Sequence, residues 1–380
     1  MRSYLITLIL LLGGSFAALG EPGPAPAESL AGALAPAEWQ NLESCVDRGL
    51  EWLASQQEPD GSFPSLSSAQ PAVTSLCVLA FLSRGHKPGE GPYGSAMNRA
   101  IDYVLDCQMA DGLICRDVPG PVLLPGRPSH TATYNHAIAG LMLGEVFGHV
   151  RGPRSKKVKQ TIQKALRYSL DLQNRPKQYP NDKGGWRYLR IQSAPHDADS
   201  DLSVTGWQLM FLRSARNAEF NVPQSSIDEA MDYIRRCWDA QLGMFLYEIS
   251  AAQSRPHGRG LMGSAILALS LGGRHQSAEA KAAGDWLVAH PFTTFGERGG
   301  GSDRFFYSTY YCSQAAAQLG GDYWKEIFPP IAHLLIRAQH PDGSFPLEIA
   351  PDSIFGPCYS SAMAVLSLTP AYQILPVYQR

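Results

Sequence analysis

Gln57–Phe63 reads Q-E-P-D-G-S-F, and Gln339–Phe345 reads Q-H-P-D-G-S-F. A shorter copy, Q-M-A-D-G, runs from Gln108 to Gly112. Each marks a helix that ends in Gln and passes into a turn. Asp satisfies backbone N–H groups with its side chain there, and Gly supplies the positive φ the turn requires. The aromatic that follows, Phe63 or Phe345, can fold back over the helix end. One punctuation mark used three times means repeated units.

Around the first copy the unit is an amphipathic helix, a D-G turn and a helix that is apolar nearly all round. Trp39, Leu42, Val46, Leu50 and Leu53 stripe the first helix, over 37–57, at spacings of three and four. The second, over 71–83, carries Val73, Leu76, Cys77, Leu79, Ala80 and Phe81. The same alternation places outer stripes at Met97–Leu105, Val158–Leu166, Ile227–Ile234, Ala283–Leu287 and Ile331–Ala338. Inner partners follow at Ala132–Phe147, Ser203–Ala215, Leu261–Leu271, Tyr307–Leu319 and Pro357–Leu368. The outer helices close near residues 57, 108, 173, 238, 290 and 339, a period of 49 to 65 residues. No strand-period segment competes, so the fold class is all-α. Six stacked pairs form an open array or a ring, and inner helices this apolar favour the ring, because an open array would wet one side of them.

The 380 residues are 44% hydrophobic and 17% charged, with a net charge of -2, a globular composition with nothing in it that suggests nucleic acid. Residues 1–20 read as a secretory signal: Arg2, an apolar run Leu5–Leu12, then small residues for cleavage. Residues 21–36, rich in Pro and Ala, read as a spacer. No second apolar run follows, so the expected location is periplasmic or extracellular, with no span in the mature chain. Of the seven cysteines, Cys107 and Cys115 flank the second turn and are the pair most easily bridged. The other five lie in helical patterns, where buried free thiols are expected.

Helix units joined by Q-x-x-D-G-S-F turns, over roughly residues 37–369, resemble the prenyltransferase and squalene cyclase repeat. The resemblance implies an (α/α)6 toroid forming one domain, with 370–380 as a C-terminal tail. It also implies that inner helices line a central cavity and carry functional residues at their N-terminal ends.

Four stretches are candidates on that basis. His196-Asp197-Ala198-Asp199-Ser200-Asp201 precedes the third inner helix. Squalene–hopene cyclases place D-x-D-D at a similar point, and its middle Asp protonates an alkene. In one register Asp199 takes the acid's place, with Asp197 before it and Ser200 where the last Asp would stand; sliding the register to put Asp201 last puts Ser200 on the acid. The competing reading is an acidic helix start, with Asp201 as cap and all three carboxylates ionised. Tyr307, Tyr310 and Tyr311 form a tyrosine-rich wall on the fifth inner helix, and Trp207 on the third is a further lining candidate. His130, Tyr134 and His136 open the second inner helix, with Glu145 further along as a carboxylate for acid–base work. Arg255, His257 and Arg259 before the fourth are a candidate anion site.

No metal and no cofactor are expected. Where the prenyltransferase family carries a zinc-binding His this chain has Ser308, and Arg259-Gly260-Leu261-Met262-Gly263 lacks the family's Asp and Cys. The leading expectation is a toroid that binds an apolar, isoprenoid-like molecule at its centre. An interaction module for an exported protein or a glycan is the alternative, and a terpene-cyclase-like enzyme using the 197–201 cluster is the third reading.

Overall fold

The computed structural model describes residues 28–121, 123–124, 126–189, 198–250, 258–296, 303–349 and 351–379. The segments read as export signal and the first part of the spacer, together with His196, Asp197, Arg255 and His257, lie outside the described residues. After a one-turn helix α1 (Glu28–Ala31) the chain lays down six helix pairs. They are α2 (Pro36–Ser55) with α3 (Ala72–Ser83), α4 (Gly94–Asp106) with α5 (Pro128–Val146), and α6 (Gly152–Gln173) with α7 (Leu202–Asn217). Then come α8 (Gln224–Arg236) with α9 (Arg259–Leu271), α10 (Ala278–Ala289) with α11 (Phe305–Leu319), and α12 (Gly321–Ala338) with α13 (Gly356–Leu368).

Apolar patterning decides which helix lies inside. In α8 the buried positions include Ile227, Ala230, Met231 and Ile234, a single face, whereas every residue of α3 from Ala72 to Ser83 is buried. The inner helices pack in the order α3, α5, α7, α9, α11, α13, and α13 returns to α3. The ring is closed, an (α/α)6 toroid. Strand is confined, among the described residues, to a hairpin of β1 (Trp238–Asp239) and β2 (Met244–Phe245), where a plain turn was expected.

The quoted turns prove to be clasps between neighbouring pairs. The Gln57 side-chain amide donates to the Gly61 carbonyl (3.0 Å) and to the Ala96 carbonyl of α4 (2.8 Å). Gln108 does the same to Gly112 and to Thr161 of α6. Gln173 repeats it with Gly184 and Ser226 of α8, across a longer turn in which the pattern was not evident in sequence. Gln339 closes the circle, donating to Gly343 (3.0 Å) and to Cys45 of α2 (2.8 Å). Asp60 and Asp342 each accept from the backbone N–H and hydroxyl of the serine two residues on, as Asx turns. The four glycines sit at φ between 89° and 101°, and a Cβ on any of them would strike a backbone carbonyl of the next outer helix. Phe63 and Phe345 are buried, as their position after the turn suggests.

Both ends of the described chain are tied down. The last part of the spacer is structured: Leu30 and Leu34 are buried, and the Leu30 carbonyl accepts from the Trp324 indole (2.7 Å). The C-terminal tail seals one end of the ring rather than trailing from it. Gln318 donates to the Tyr378 carbonyl (2.7 Å), and the Val377 N–H donates to Glu145 (3.3 Å). The tail thus lies against the C-terminal ends of α5 and α11. Helix α12 begins ten residues before the expected start at Ile331 and carries Pro329 and Pro330 in its interior. The carbonyls these prolines leave without partners belong to Lys325 and Glu326, which are exposed to water.

All seven cysteines are free thiols, including Cys107 and Cys115, the pair most easily bridged. Cys115 Sγ instead donates to the Asp117 carbonyl (3.3 Å). Among the described residues no helix is long and apolar enough to cross a membrane.

Replacing Gly343 by Val forces a side chain onto the Arg48 carbonyl at the ring-closing clasp. Denaturant unfolding should show a loss of about 3 kcal/mol or more. A change within about 0.5 kcal/mol would mean that the clasp tolerates displacement and does not set the ring.

Candidate functional site

The inner helices enclose a cavity of about 330 Å³, lined by residues of their first three turns. Its apolar wall comes from Val73 and Leu76 of α3, Ile138 of α5, Leu261 of α9 and Met363 of α13. Facing them is an aromatic wall: Tyr134, Trp207, Tyr307 and Tyr359 from inner helices, Tyr188 and Tyr247 from the loops before α7 and α9. Beneath Trp207 the centre is filled. Tyr310 stacks on the Trp207 ring (5.6 Å between centroids, 5° between planes), and its hydroxyl is hydrogen-bonded to that of Tyr378 from the tail. The cavity therefore has a floor and lies toward the loops that precede the inner helices.

The tyrosine hydroxyls are linked to one another and to a buried carboxyl. Tyr134 donates to Ser203 Oγ (3.1 Å), which is also bonded to the Tyr307 hydroxyl (2.8 Å), and Tyr188 is bonded to Tyr247. Behind Tyr188 and Tyr247 lies Arg187, its guanidinium 5.0 and 5.7 Å from the two ring centroids. Arg187 pairs with Asp201 (3.3 Å) and Glu248 (2.6 Å). Asp201 caps α7, accepting from the Val204 N–H (2.7 Å). It is fully buried, and burial pushes its carboxyl up to about 6 against the lowering effect of Arg187 and the Val204 N–H. The capping role thus holds, and Asp201 stays mostly ionised at pH 7, though burial of the helix start makes it easier to protonate than an exposed cap.

The remaining polar wall is made by Asp303, Arg304, Asp352 and His130. Asp303 is neutralised by Arg259 (2.8 Å) and accepts from the Gly260 N–H and the Ser308 hydroxyl. Arg304 pairs with Asp352. The His130 ring lies 4.3 Å from that of Tyr188, its Nδ1 is buried without a hydrogen-bond partner, and desolvation, aided by Arg304 and Arg187, lowers its pKa to about 4. It is a neutral imidazole at pH 7.

Four of the expected lining residues are on the wall: His130, Tyr134, Trp207 and Tyr307. His136 points away, toward α6, and accepts at Nδ1 from the Ile114 N–H (3.1 Å) while Nε2 meets Ser169 Oγ (3.0 Å). Tyr310 and Tyr311 pack beneath Trp207 rather than facing the cavity. Asp199 is held outside by the Gln178 N–H (2.5 Å), so its carboxylate does not reach the centre, and Asp201 stands behind the wall rather than on it. Glu145 sits fifteen residues beyond His130 on α5, roughly 22 Å along the axis, so the two form no acid–base pair. Arg259 is committed to Asp303 and unsuited to a free anion. Among the described residues no three His, Cys, Asp or Glu side chains gather as a metal site would require.

Tyr188, Tyr247, Asp303, Arg304, Asp352 and Tyr359 were not foreseen. Asp303 and Arg304 immediately precede α11 and Tyr359 opens α13, so the rule that function sits at inner-helix starts would have found them. Tyr188 and Tyr247 lie in long loops whose return to the centre has no periodic signal.

The six helix pairs closed into a ring define a fold class, the (α/α)6 toroid. No protein-family model and no curated protein sequence matches the chain. Among solved structures it is similar to a point variant of type II terpene cyclase MstE from Scytonema in its apo form, with 14% identity, TM-score 0.55, and coverage of 90% of this chain and 100% of that one. An MstE complex with merosterolic acid A as product aligns at 17% identity and TM-score 0.54 over the same shares. The GH76 alpha-mannanase of Bacteroides thetaiotaomicron aligns at 11% identity and TM-score 0.54, over 89% of this chain and 98% of that one. At these identities the likeness is one of fold.

Asp201 is protonated more readily in the folded chain (about 6) than in the unfolded one (3.8). Its stabilising contribution is therefore full below about pH 4 and is lost as pH rises through about 6. Asn caps a helix as well as Asp, so Asp201→Asn removes the titration and keeps the cap. Unfolding measured from pH 4 to pH 7 should show wild type losing stability relative to the variant. A constant difference, or one of opposite sign, would place an ordinary ionised carboxylate at this site.

Proposed function

We propose that this protein binds an apolar, isoprenoid-like molecule in the toroid centre. The observation that carries the reading is the floored cavity itself, aliphatic on one side and tyrosine-rich on the other. Burying a hydrocarbon chain against such walls is favourable by about 25 cal/mol per Å². The linked hydroxyls of Tyr134, Ser203 and Tyr307 already satisfy one another, so the ligand need not do so. Support comes from MstE, a protein of the same fold that is seen with geranylgeranyl dihydroxybenzoate as substrate. The polar wall at Arg304 and His130 suits a ligand with one oxygenated end. In this reading the chain is exported, as its first 20 residues suggest, and meets its ligand outside the cytoplasm.

One observation favours a catalytic reading of the same cavity. Asp201, with its raised pKa, is hydrogen-bonded to Tyr247, which lines the wall and is bonded in turn to Tyr188. That path is a route for a proton to an alkene. Binding remains the reading chosen, because the carboxylates on the wall itself, Asp303 and Asp352, are each tied to an arginine.

The test fills the cavity. Val73→Trp projects an indole into the aliphatic wall, and native mass spectrometry with geranylgeraniol should then show affinity reduced at least about tenfold, with the melting transition retained. Equal binding by both proteins would place the ligand elsewhere. In the same incubations a cyclised product, absent with Asp201→Asn, would establish the catalytic reading instead.

A further inference from the structure

Polar side chains on the cavity wall are largely satisfied by the protein itself. Tyr134 and Tyr307 share the Ser203 hydroxyl, and Tyr188 is bonded to Tyr247. Asn135 donates to the Ser68 carbonyl (2.8 Å) and accepts from the Ala72 N–H (3.2 Å). Among the described residues that line the cavity, His130 Nδ1 is the one buried polar atom with no hydrogen-bond partner. The ring is held in place in the first turn of α5, its centroid 4.3 Å from that of Tyr188 and 6.2 Å from that of Tyr134. An unpaired buried group of this kind is costly, and a ligand that pairs it removes the penalty.

The charges around that atom decide what kind of group it receives. Among the described residues, the guanidiniums at and behind the wall belong to Arg187, Arg259 and Arg304, and each faces a carboxyl. The carboxyls are Asp201, Glu248, Asp303, Asp352 and Glu348, so they outnumber the guanidiniums. Glu348 accepts from the Phe305 and Phe306 N–H groups and pairs with no arginine. Burial already raises Asp201, Glu348 and Asp352 above the ordinary carboxylate range. A further anion, carboxylate or diphosphate, would add repulsion where water screens it least. Arg127, three residues before His130, is exposed to water and does not line the cavity. A cation fares no better beside His130, because Arg304 and Arg187 act on that ring and already disfavour its own protonation. The group that fits is uncharged.

Hydrogen-bonding capacity narrows the choice further. A neutral imidazole offers at Nδ1 either a lone pair or an N–H, according to its tautomer. An ether or a ketone only accepts, and so matches one of the two. A hydroxyl both donates and accepts, and matches either. An apolar body carrying one hydroxyl therefore completes this wall without adding charge to it.

We propose that the polar end of the ligand is a hydroxyl bonded to His130 Nδ1, so that the cavity selects isoprenoid alcohols over the matching carboxylates and diphosphates. The proposal rests on the ligand reading above and names the chemical class within it. Native mass spectrometry of the full chain at about pH 8, where a carboxylic acid is ionised, compares geranylgeraniol with its methyl ether, with geranylgeranoic acid and with geranylgeranyl diphosphate. Wild type should bind the alcohol at least about tenfold more tightly than each of the other three. His130→Phe keeps a ring against Tyr188 and removes Nδ1. Its preference for alcohol over ether should vanish, while its affinity for the ether and its melting transition are kept. His130→Gln restores a donor and an acceptor and should recover part of the preference. An alcohol bound no more tightly than its ether, tighter binding of the acid or the diphosphate, or a preference undiminished in His130→Phe overturns the proposal and leaves the ligand reading standing. Wild type that binds none of the four defeats the ligand reading, and the proposal with it.

Discussion

A glycine with no room for a side chain, held against the next helix by a glutamine, is the contact on which this toroid depends. Gln57, Gln108, Gln173 and Gln339 each satisfy two carbonyls at once, one in their own turn and one in the following outer helix. Buried amide bonds of this kind contribute about 1 kcal/mol each when made and cost more when broken. Their larger effect is geometric. Each clasp sets the angle between consecutive pairs, and the last, from Gln339 to Cys45 of α2, joins the end of the chain to its beginning.

Closure of the ring has a consequence at its centre. Six apolar inner helices around an axis leave a core too wide for side chains to fill along its whole length. Beneath Trp207 the Tyr310–Tyr378 pair fills it, and the tail covers it toward the C-terminal ends of the helices. At the N-terminal ends it stays open as the cavity. The helix starts there also bring backbone N–H groups that attract carboxylates, which explains Asp201 on α7 and Glu348 accepting from the Phe305 and Phe306 N–H groups of α11. Burial then raises the pKa of both carboxyls, so the acidity of this region follows from the architecture before any ligand is considered.

Much of the fold was legible in the sequence because helical periodicity and D-G turns are local signals. Outer stripes such as Trp39–Leu53 and the nearly unbroken apolar run of α3 told outer from inner helices directly. The start of α12 was missed because Pro329 and Pro330 look like a boundary, and the tail because a short apolar segment without periodicity gives no hint of where it packs. The site was only partly legible. Helix phase carried His130, Tyr134, Trp207 and Tyr307 to the wall, but placing His136, Tyr310 and Tyr311 required the exact rotation of each helix. Asp199 and Asp201 differ by two residues and by a complete change of environment, which no spacing rule resolves. Tyr188 and Tyr247 reach the centre from loops, by contacts between segments about 60 residues apart in the chain.

The central claim is that an apolar ligand sits above Trp207, between the aliphatic wall and the tyrosines. It is tested most directly by photo-crosslinking a diazirine-bearing isoprenoid alcohol to the full chain and mapping the labelled peptides. The account predicts labels in the first two turns of α3, α5, α7 and α11, at Val73, Tyr134, Trp207 and Tyr307 or their neighbours, competed away by unlabelled alcohol. Labels confined to outer helices, or none that excess alcohol displaces, would contradict it.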